Sequence, residues 1–423
     1  MKPKTSGTYV LTLLILIYVC NNLDRHIISI LAEPIKQDLK LSDTQLGLLT
    51  GLAFALFYTF FGIPAGWLAD RFGRIRVLFL AATIWSICSA AGALATKFTH
   101  LALSRAGVGI GEAGGAAPSY SLISSFFPPE RRGGAIGLLH LGSPISTFIG
   151  TFAATWIAAH YGWRAALLAV SLPGVLVALA LWLTVKEPQA SEGQAAQPPL
   201  LSAVSGYFRD PIFRNLAITA GMSSFTSFAL AAWLPAFLMR IKGMSLQEVG
   251  LWFGPIYAVA FGLGLWGGGY LADRIAPRGA QYYAAIPLVG LLTAVPFLAL
   301  ALAAPDWRIA LAVAFIPVAA IGLFLAPAVT CVQNRSPNQS RSVNGALFLF
   351  VNNLVGAGFG PLYVGWISDR AREFAWAPLG LEPLTIGLAA CIPILLIAAT
   401  LQARNMRLLQ RDAALGDVIA AAV

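Results

Sequence analysis

Charge is what this sequence has least of. Asp, Glu, Lys and Arg make up 11% of its 423 residues, where a soluble domain carries roughly a quarter. With 58% hydrophobic residues and a mean hydropathy of +0.74, the chain has too little polar surface to cover a particle in water, so its solvent must be lipid. Cysteine is scarce too. Cys20, Cys88, Cys331 and Cys391 all fall in apolar runs without CxxC spacing, and they read as small buried hydrophobes rather than a disulfide framework. HExxH and GxxxxGK[ST] are missing, which speaks against a zinc site and against an ATP motor. No cofactor or metal is expected. No span offers a nucleophile beside a base, so an enzyme is not expected either. The net charge of +10 rests on no compact basic domain, which argues against nucleic acid as a partner.

What the chain has in abundance is long apolar runs. Runs of about 20 residues, enough to cross a bilayer, begin near Tyr9, Leu46, Val77, Leu101, Gly134 and Trp163. Six more begin near Asn215, Val249, Tyr282, Ile309, Gly345 and Leu384. The run after Met1-Lys2-Pro3-Lys4 is too long for a signal peptide and lacks a cleavage pattern. Between the sixes lies a polar, Pro-containing insert with Pro188, Pro198 and Pro199. The expected organisation is an amino-terminal bundle over 1–186, a cytoplasmic linker over 187–212, a carboxyl-terminal bundle over 213–404 and a cytoplasmic tail over 405–423. In the linker, Leu200, Leu201, Val204, Tyr207 and Phe208 recur at helical spacing, which suggests a short helix on the inner surface. Arg71, Arg74, Arg76, Arg131, Arg132, Arg404, Arg407 and Arg411 fall on one side of this topology. That side should be cytoplasmic, with both termini.

The halves echo each other. Gly66-Trp67-Leu68-Ala69-Asp70-Arg71 returns 203 positions later as Gly269-Tyr270-Leu271-Ala272-Asp273-Arg274. Gly134-Ala135 returns 211 positions later as Gly345-Ala346. The fold class that follows is an all-α membrane protein, twelve transmembrane helices in two pseudo-symmetric six-helix bundles around an aqueous cavity. A duplicated bundle points to transport, and without an ATP motor uphill movement must draw on an ion gradient.

The stretch Gly66 to Arg74 resembles the loop motif of the major facilitator superfamily, GxLaDrxGr. Gly66 would allow close helix contact, Asp70 would face a helix N-terminus or Arg74, and the arginines would meet the anionic inner leaflet. The resemblance implies that this loop is a gating latch made by Gly66, Asp70, Arg71 and Arg74, with Asp273 and Arg274 as its second copy. That copy is degraded, since Ala276-Pro277-Arg278 stands where Gly73-Arg74 would be.

Four ionisable residues lie within apolar runs: Asp24 and Arg25 in the first, Arg105 and Glu112 in the fourth. Each costs at least roughly 2.5–3.5 kcal/mol at bilayer depth, so each must be paired or face water. Arg105 and Glu112 are two helical turns apart, about 10 Å along one face. If the first and fourth helices face one cavity, as the resemblance to the superfamily implies, Asp24 can pair Arg105 and Arg25 can pair Glu112. A structural ion network is the alternative. Desolvation and a neighbouring guanidinium pull a carboxylate's proton affinity in opposite directions, which makes Glu112, with Asp24, the candidate for proton coupling.

Asn21-Asn22-Leu23-Asp24-Arg25 with Arg105-Ala106-Gly107-Val108-Gly109-Ile110-Gly111-Glu112-Ala113 is similar to the Spinster branch of that superfamily. The similarity is full from Tyr9 to about Pro188 and in outline beyond. It implies a carrier of lysophospholipid or sphingosine-1-phosphate-like molecules with a proton-linked Asp/Arg/Glu set. The anion:cation symporters for sugar acids carry a similar Asp-Arg pair and Arg-x6-Glu, so the charges do not separate the two. Gly109 to Gly114 satisfies GxGxxG but follows no strand, and small residues for close helix packing explain it better. Gly142-Ser143-Pro144 only approximates the family's antiporter motif. His100 and His160 read as solvated, and His26 and His140 as hydrogen-bonded structural residues.

The second half has no embedded charge. Its polar candidates are Ser224, Asn352 and Asn353, beside Phe228. One charged wall and one mostly apolar wall suit an amphipath. The favoured expectation is therefore a proton-coupled, alternating-access carrier whose Arg25 and Arg105 hold an anionic head group. A small organic or sugar acid is the alternative substrate, and a membrane-embedded enzyme a remote one. The expected partners are the substrate, protons and membrane lipids, for a monomer in a bacterial cytoplasmic membrane.

Overall fold

The computed structural model describes residues 6–187, 200–336, 341–374 and 381–422, except the side chains at 63, 70, 129–130, 133, 200–203, 341–342 and 413–422. Among the described residues the regular structure is helical throughout. The first span is α1 (Gly7–Ile30), followed by the short α2 (Ala32–Leu39). The second joins α3 (Asp43–Thr50) to α4 (Leu52–Phe72). Ser42 starts α3 with a capping box, accepting from Gln45 N while Gln45 Oε1 accepts from Ser42 N. Two orphan amides at a helix start are satisfied in this way. The third is α5 (Arg74–Gly92), and the fourth joins α6 (Phe98–Ala113) to α7 (Ala116–Phe126). The fifth runs from α8 (Pro129–His140) into α9 (Gly142–Thr184). That helix turns back at Gly162, whose φ of 83° a side chain would resist, and the rest of α9 is the sixth span.

The second six follow the same plan. A linker helix α10 (Leu200–Arg209) leads into α11 (Pro211–Arg240). The eighth span is α12 (Leu246–Glu248), a π turn Val249–Phe253 and α13 (Gly254–Ile275); the ninth is α14 (Tyr282–Ala303). The tenth joins α15 (Trp307–Gly322) to α16 (Leu325–Arg335). The eleventh joins α17 (Arg341–Asn353), a π turn Leu354–Phe359 and α18 (Gly360–Glu373). The twelfth joins α19 (Pro383–Ala389) to α20 (Cys391–Ala422).

Among the described residues, ten helical stretches are long and apolar enough to cross a membrane. One of them, Gly134–Thr184, holds two crossings, and the fourth span is not among the ten because its charges and glycines lower its hydropathy. The count is therefore twelve. Proline inside α4, α9, α11, α14 and α15 is the pattern of helices whose freed backbone groups find partners on neighbouring helices.

The chain forms two compact units. Unit 1 contains the described part of Met1–Glu192 together with Met244–Ala258; unit 2 contains that of Gly193–Gly243 with Val259–Val423. Residues 244–258 pack with unit 1: a Cβ at Gly250 would fall 1.9 Å from Thr155 Oγ1. In unit 2, Tyr207 of α10 is buried with Phe213, Leu216, Phe324, Val332, Phe348 and Leu409. The linker helix therefore docks into the bundle through Tyr207 rather than resting only on lipid. The expected linker segment 188–199 and the side chains of Leu200 and Leu201 lie outside the described residues. The expected tail boundary at 405 has no counterpart in the backbone, because α20 continues unbroken across it.

Candidate functional site

Glycine placement brings the fourth span close to its neighbours and so sets the depth of its charges. A Cβ at Gly109 would meet Phe54 O of α4 at 2.5 Å, and one at Gly111 would meet Trp85 N of α5 at 2.5 Å. Only hydrogen atoms fit there, and α6 is drawn in between the two helices. Arg105 and Glu112 are held 2% and 1% exposed as a result.

Arg25 and Glu112 meet as expected. Arg25 Nη2 donates to Glu112 Oε2 at 2.8 Å and Nε donates to the same oxygen at 3.1 Å. The Glu112 side chain is fully buried, whereas the Arg25 side chain keeps 22% of its surface. Among the described residues Glu112 Oε1 has no partner within hydrogen-bonding geometry, and the Asn21 side chain stands beside the carboxylate. The Arg25 guanidinium also lies 5.0 Å from the Phe54 ring centroid and 4.7 Å from that of Tyr58. Two rings four residues apart on α4 stack against each other and flank the cation, compensating its loss of water.

Asp24 and Arg105 do not form the expected side-chain pair. Asp24 Oδ1 accepts from Ser89 Oγ of α5 at 2.6 Å, and its Oδ2 is without a partner. Arg105 spends its donors on main-chain carbonyls instead: Leu49 O at 3.4 Å, Asp24 O at 3.2 Å and Arg25 O at 3.3 Å. It pins the α1 backbone on either side of the charged dipeptide, and its charge acts on Asp24 through space. Sequence spacing identified the two levels correctly. It could not tell a carboxylate from a carbonyl as the acceptor.

The loop after the second span also departs from expectation. A Cβ at Gly66 would find only Ala117 Cβ, at 3.9 Å, so close helix contact does not require glycine there. Asp70's side chain lies outside the described residues. Arg74 Nη1 donates to Ser125 Oγ at 2.7 Å, and the carboxylate at the start of α5 belongs to Glu187. Glu187 Oε1 accepts from Arg74 N at 2.6 Å and Oε2 accepts from Ile75 N at 2.9 Å. Gly73, at φ 100°, turns the chain into this cap. Arg71 is exposed over the rings of Trp67 and Phe72, 5.2 and 5.7 Å away. In the second copy, Asp273 and Arg274 are exposed, and Arg274 donates to Tyr270 OH one turn earlier.

In unit 2, Ser224 Oγ donates to Asn352 Oδ1 at 2.6 Å. The π turn after Asn353 shapes this contact: Gly356 stands where a Cβ would come within 2.4 Å of Ser224 Cβ. Ser224 and Asn352 are buried, while Asn353 and Phe228 are half-buried. Two features beyond the sequence reading close the far end of unit 1. Lys36 pairs with the buried Asp43, and Arg164 bridges Asp38 at 2.7 Å and Ala95 O at 3.0 Å. No group of three His, Cys, Asp or Glu able to hold a metal is found among the described residues.

Residues 14–361 match the family model of the Major Facilitator Superfamily. The chain belongs to that superfamily. An MFS-type efflux pump of Mycolicibacterium smegmatis is 32% identical over 366 residues, 85% of this chain and 84% of its own length. The hexuronate transporter of Bacillus subtilis is 27% identical over 383 residues, covering 87% and 89%. The crystal structure of a bacterial homolog to the human lysosomal transporter Spinster, inward-facing and unoccupied, superposes with a TM-score of 0.85 at 30% identity. It covers 97% of this chain and 99% of that one. The Spinster likeness thus runs through both units, further than the motifs alone indicated. This superfamily member is an integral, multi-pass membrane protein, and its family and fold are those of transporters.

Proposed function

We propose that the chain is a proton-coupled carrier of an organic anion, working by alternating access in a bacterial cytoplasmic membrane, with both termini on the cytoplasmic side. One observation carries the reading: Arg25 is the partly exposed embedded cation, and a single oxygen of the buried Glu112 holds it. A proton added at Oε1 neutralises the carboxylate, weakens both N–H···Oε2 bonds and frees the guanidinium for the anion. Removal of that proton restores the pair and expels the anion. Arg105 and Asp24 keep this pair at its level, and Arg71, Arg74 and Glu187 belong to the latch.

The side chains favour an amphipathic anion, such as a lysophospholipid or a sphingosine-1-phosphate-like molecule. Phe54 and Tyr58 flank the cation with apolar surface. The hexuronate transporter favours the second reading, a small organic or sugar acid, for which the buried Asn21 and Asn22 would supply hydroxyl partners. Thermal-shift and proteoliposome uptake measurements with lysophosphatidylglycerol and with D-glucuronate separate the two. Binding of either that disappears in Arg25→Ala supports the anion reading. Binding that survives the substitution overturns it.

A further inference from the structure

Beside the Arg25–Glu112 pair stands a histidine that the reading above leaves without a task. His140 ends α8. Its Nδ1 lies 3.2 Å from Tyr18 OH of α1, and its Nε2 lies 3.1 Å from Tyr120 OH of α7. Both phenol rings pack on the imidazole, with centroids 5.5 and 6.0 Å away. Tyr18 is electrostatically coupled to Arg25, Tyr58 and Glu112, and Tyr120 to Tyr18 and Tyr58. Tyr58 also lies against Arg25, so the tyrosines about His140 stand within electrostatic reach of the Arg25–Glu112 pair, and a proton would cross the remaining distance through water.

Their placement is directional. Tyr18 lies six residues before Asp24, about 9 Å along α1, and Tyr120 lies eight residues beyond Glu112, about 12 Å along α6–α7. The start of α1 and the end of α7 share one end of unit 1, where Gly7 approaches Phe126 O and Arg74 bonds Ser125. The same end carries Arg132, which donates to Phe127 O and Ser124 O. Tyr18, Tyr120 and His140 therefore lie on the basic-end side of the buried carboxylate, and His140 is exposed whereas Glu112 is not.

The chemistry of the chain suits proton passage. A neutral imidazole has one donor and one acceptor nitrogen, and a phenol can be either. In each tautomer, one ring nitrogen is left to accept. A proton added there gives an imidazolium that donates to both tyrosines. Loss of the other N–H proton restores the neutral ring with the polarity of the chain reversed. One proton has crossed, and no heavy-atom bond has been made or broken. Histidine is also the side chain that gains and loses a proton most readily near neutral pH.

We propose that His140, held between Tyr18 and Tyr120, is the residue through which Glu112 exchanges its proton with water at the basic end of unit 1. The inference rests on Glu112 being the coupled carboxylate and adds the route. A histidine that merely cross-links three helices is the alternative.

The test compares wild type, His140→Gln and Glu112→Gln in proteoliposomes, with lysophosphatidylglycerol and D-glucuronate as probes. Accumulation driven by an imposed pH gradient and exchange at equal pH are both measured. His140→Gln should lower gradient-driven accumulation by about tenfold or more while exchange persists. A structural role would lower both together and overturns the proposal. If Glu112→Gln abolishes accumulation and His140→Gln does not, the route is wrong and the coupling reading stands; if neither matters, the coupling reading itself falls. A substrate-free measurement decides the matter independently. The chain has four histidines, so the 15N signal of His140 is identified by its loss in His140→Gln. Its titration midpoint should move in Glu112→Gln, and an unmoved midpoint overturns the proposal.

Discussion

Both hydrogen bonds from Arg25 end on one oxygen of Glu112, and the other oxygen, Oε1, has none among the described residues. A carboxylate held in this way can take a proton without first breaking its pair. Glu112→Gln keeps the shape and an acceptor for Arg25 but removes the site of protonation. Accumulation driven by a pH gradient should fall about 100-fold, while exchange at equal pH is retained. Uptake by reconstituted protein, with and without the gradient, reads both quantities. Unchanged accumulation would remove Glu112 from the coupling step.

Ser89 supplies the one hydrogen bond that the Asp24 carboxylate receives. Ser89→Ala leaves both Asp24 oxygens bare in a fully buried position, a loss of about 1–3 kcal/mol for an unsatisfied buried acceptor. The thermal unfolding midpoint of purified protein should fall. If it does not move, the field of Arg105 alone is enough to hold Asp24.

Glu187 closes α5 with two charge-assisted bonds, and Gly73 is shaped to receive it: a Cβ there would lie 3.0 Å from the Glu187 carboxyl group. Glu187→Ala should cost about 0.5–2 kcal/mol, as loss of a helix cap does. Arg71→Ala, on an exposed residue lying over two rings, should stay within about 0.5 kcal/mol. Denaturation of the two variants side by side checks the contrast. Equal effects would mean that the cap does not anchor the loop.

Gly111→Ala forces a methyl group into the backbone of Trp85, and overpacking of that kind costs about 1–3 kcal/mol. Gly62→Ala is the control, since nothing lies within 4 Å of the added carbon. Folded yield and unfolding midpoint should drop for the first and hold for the second. A tolerated Gly111→Ala would show that α6 can move away from α5.

The twelve spans were legible because crossing a bilayer imposes a length and a composition that can be read residue by residue. The level of the four embedded charges was legible for a similar reason: helical rise converts sequence spacing into depth. Their partners were only half legible. Arg25 with Glu112 followed from level and sign, but Asp24 turned to Ser89 and Arg105 to three carbonyls, because a guanidinium accepts any well-placed oxygen. Glu187 gave no signal, since it stands more than a hundred residues from the helix it caps. Tyr18, Tyr120 and His140 were separate polar residues on three spans until packing brought them together.

The sequence by itself determined that this chain lives in lipid, that it is built twice and that its embedded charges lie in the first half. Those properties depend on composition, periodicity and repetition, which act locally along the chain. Tertiary structure alone decided which oxygen holds Arg25, which carboxylate caps the loop and which histidine faces two tyrosines. Each depends on the distance between helices, and at Gly109 and Gly111 that distance is set by the absence of a single carbon.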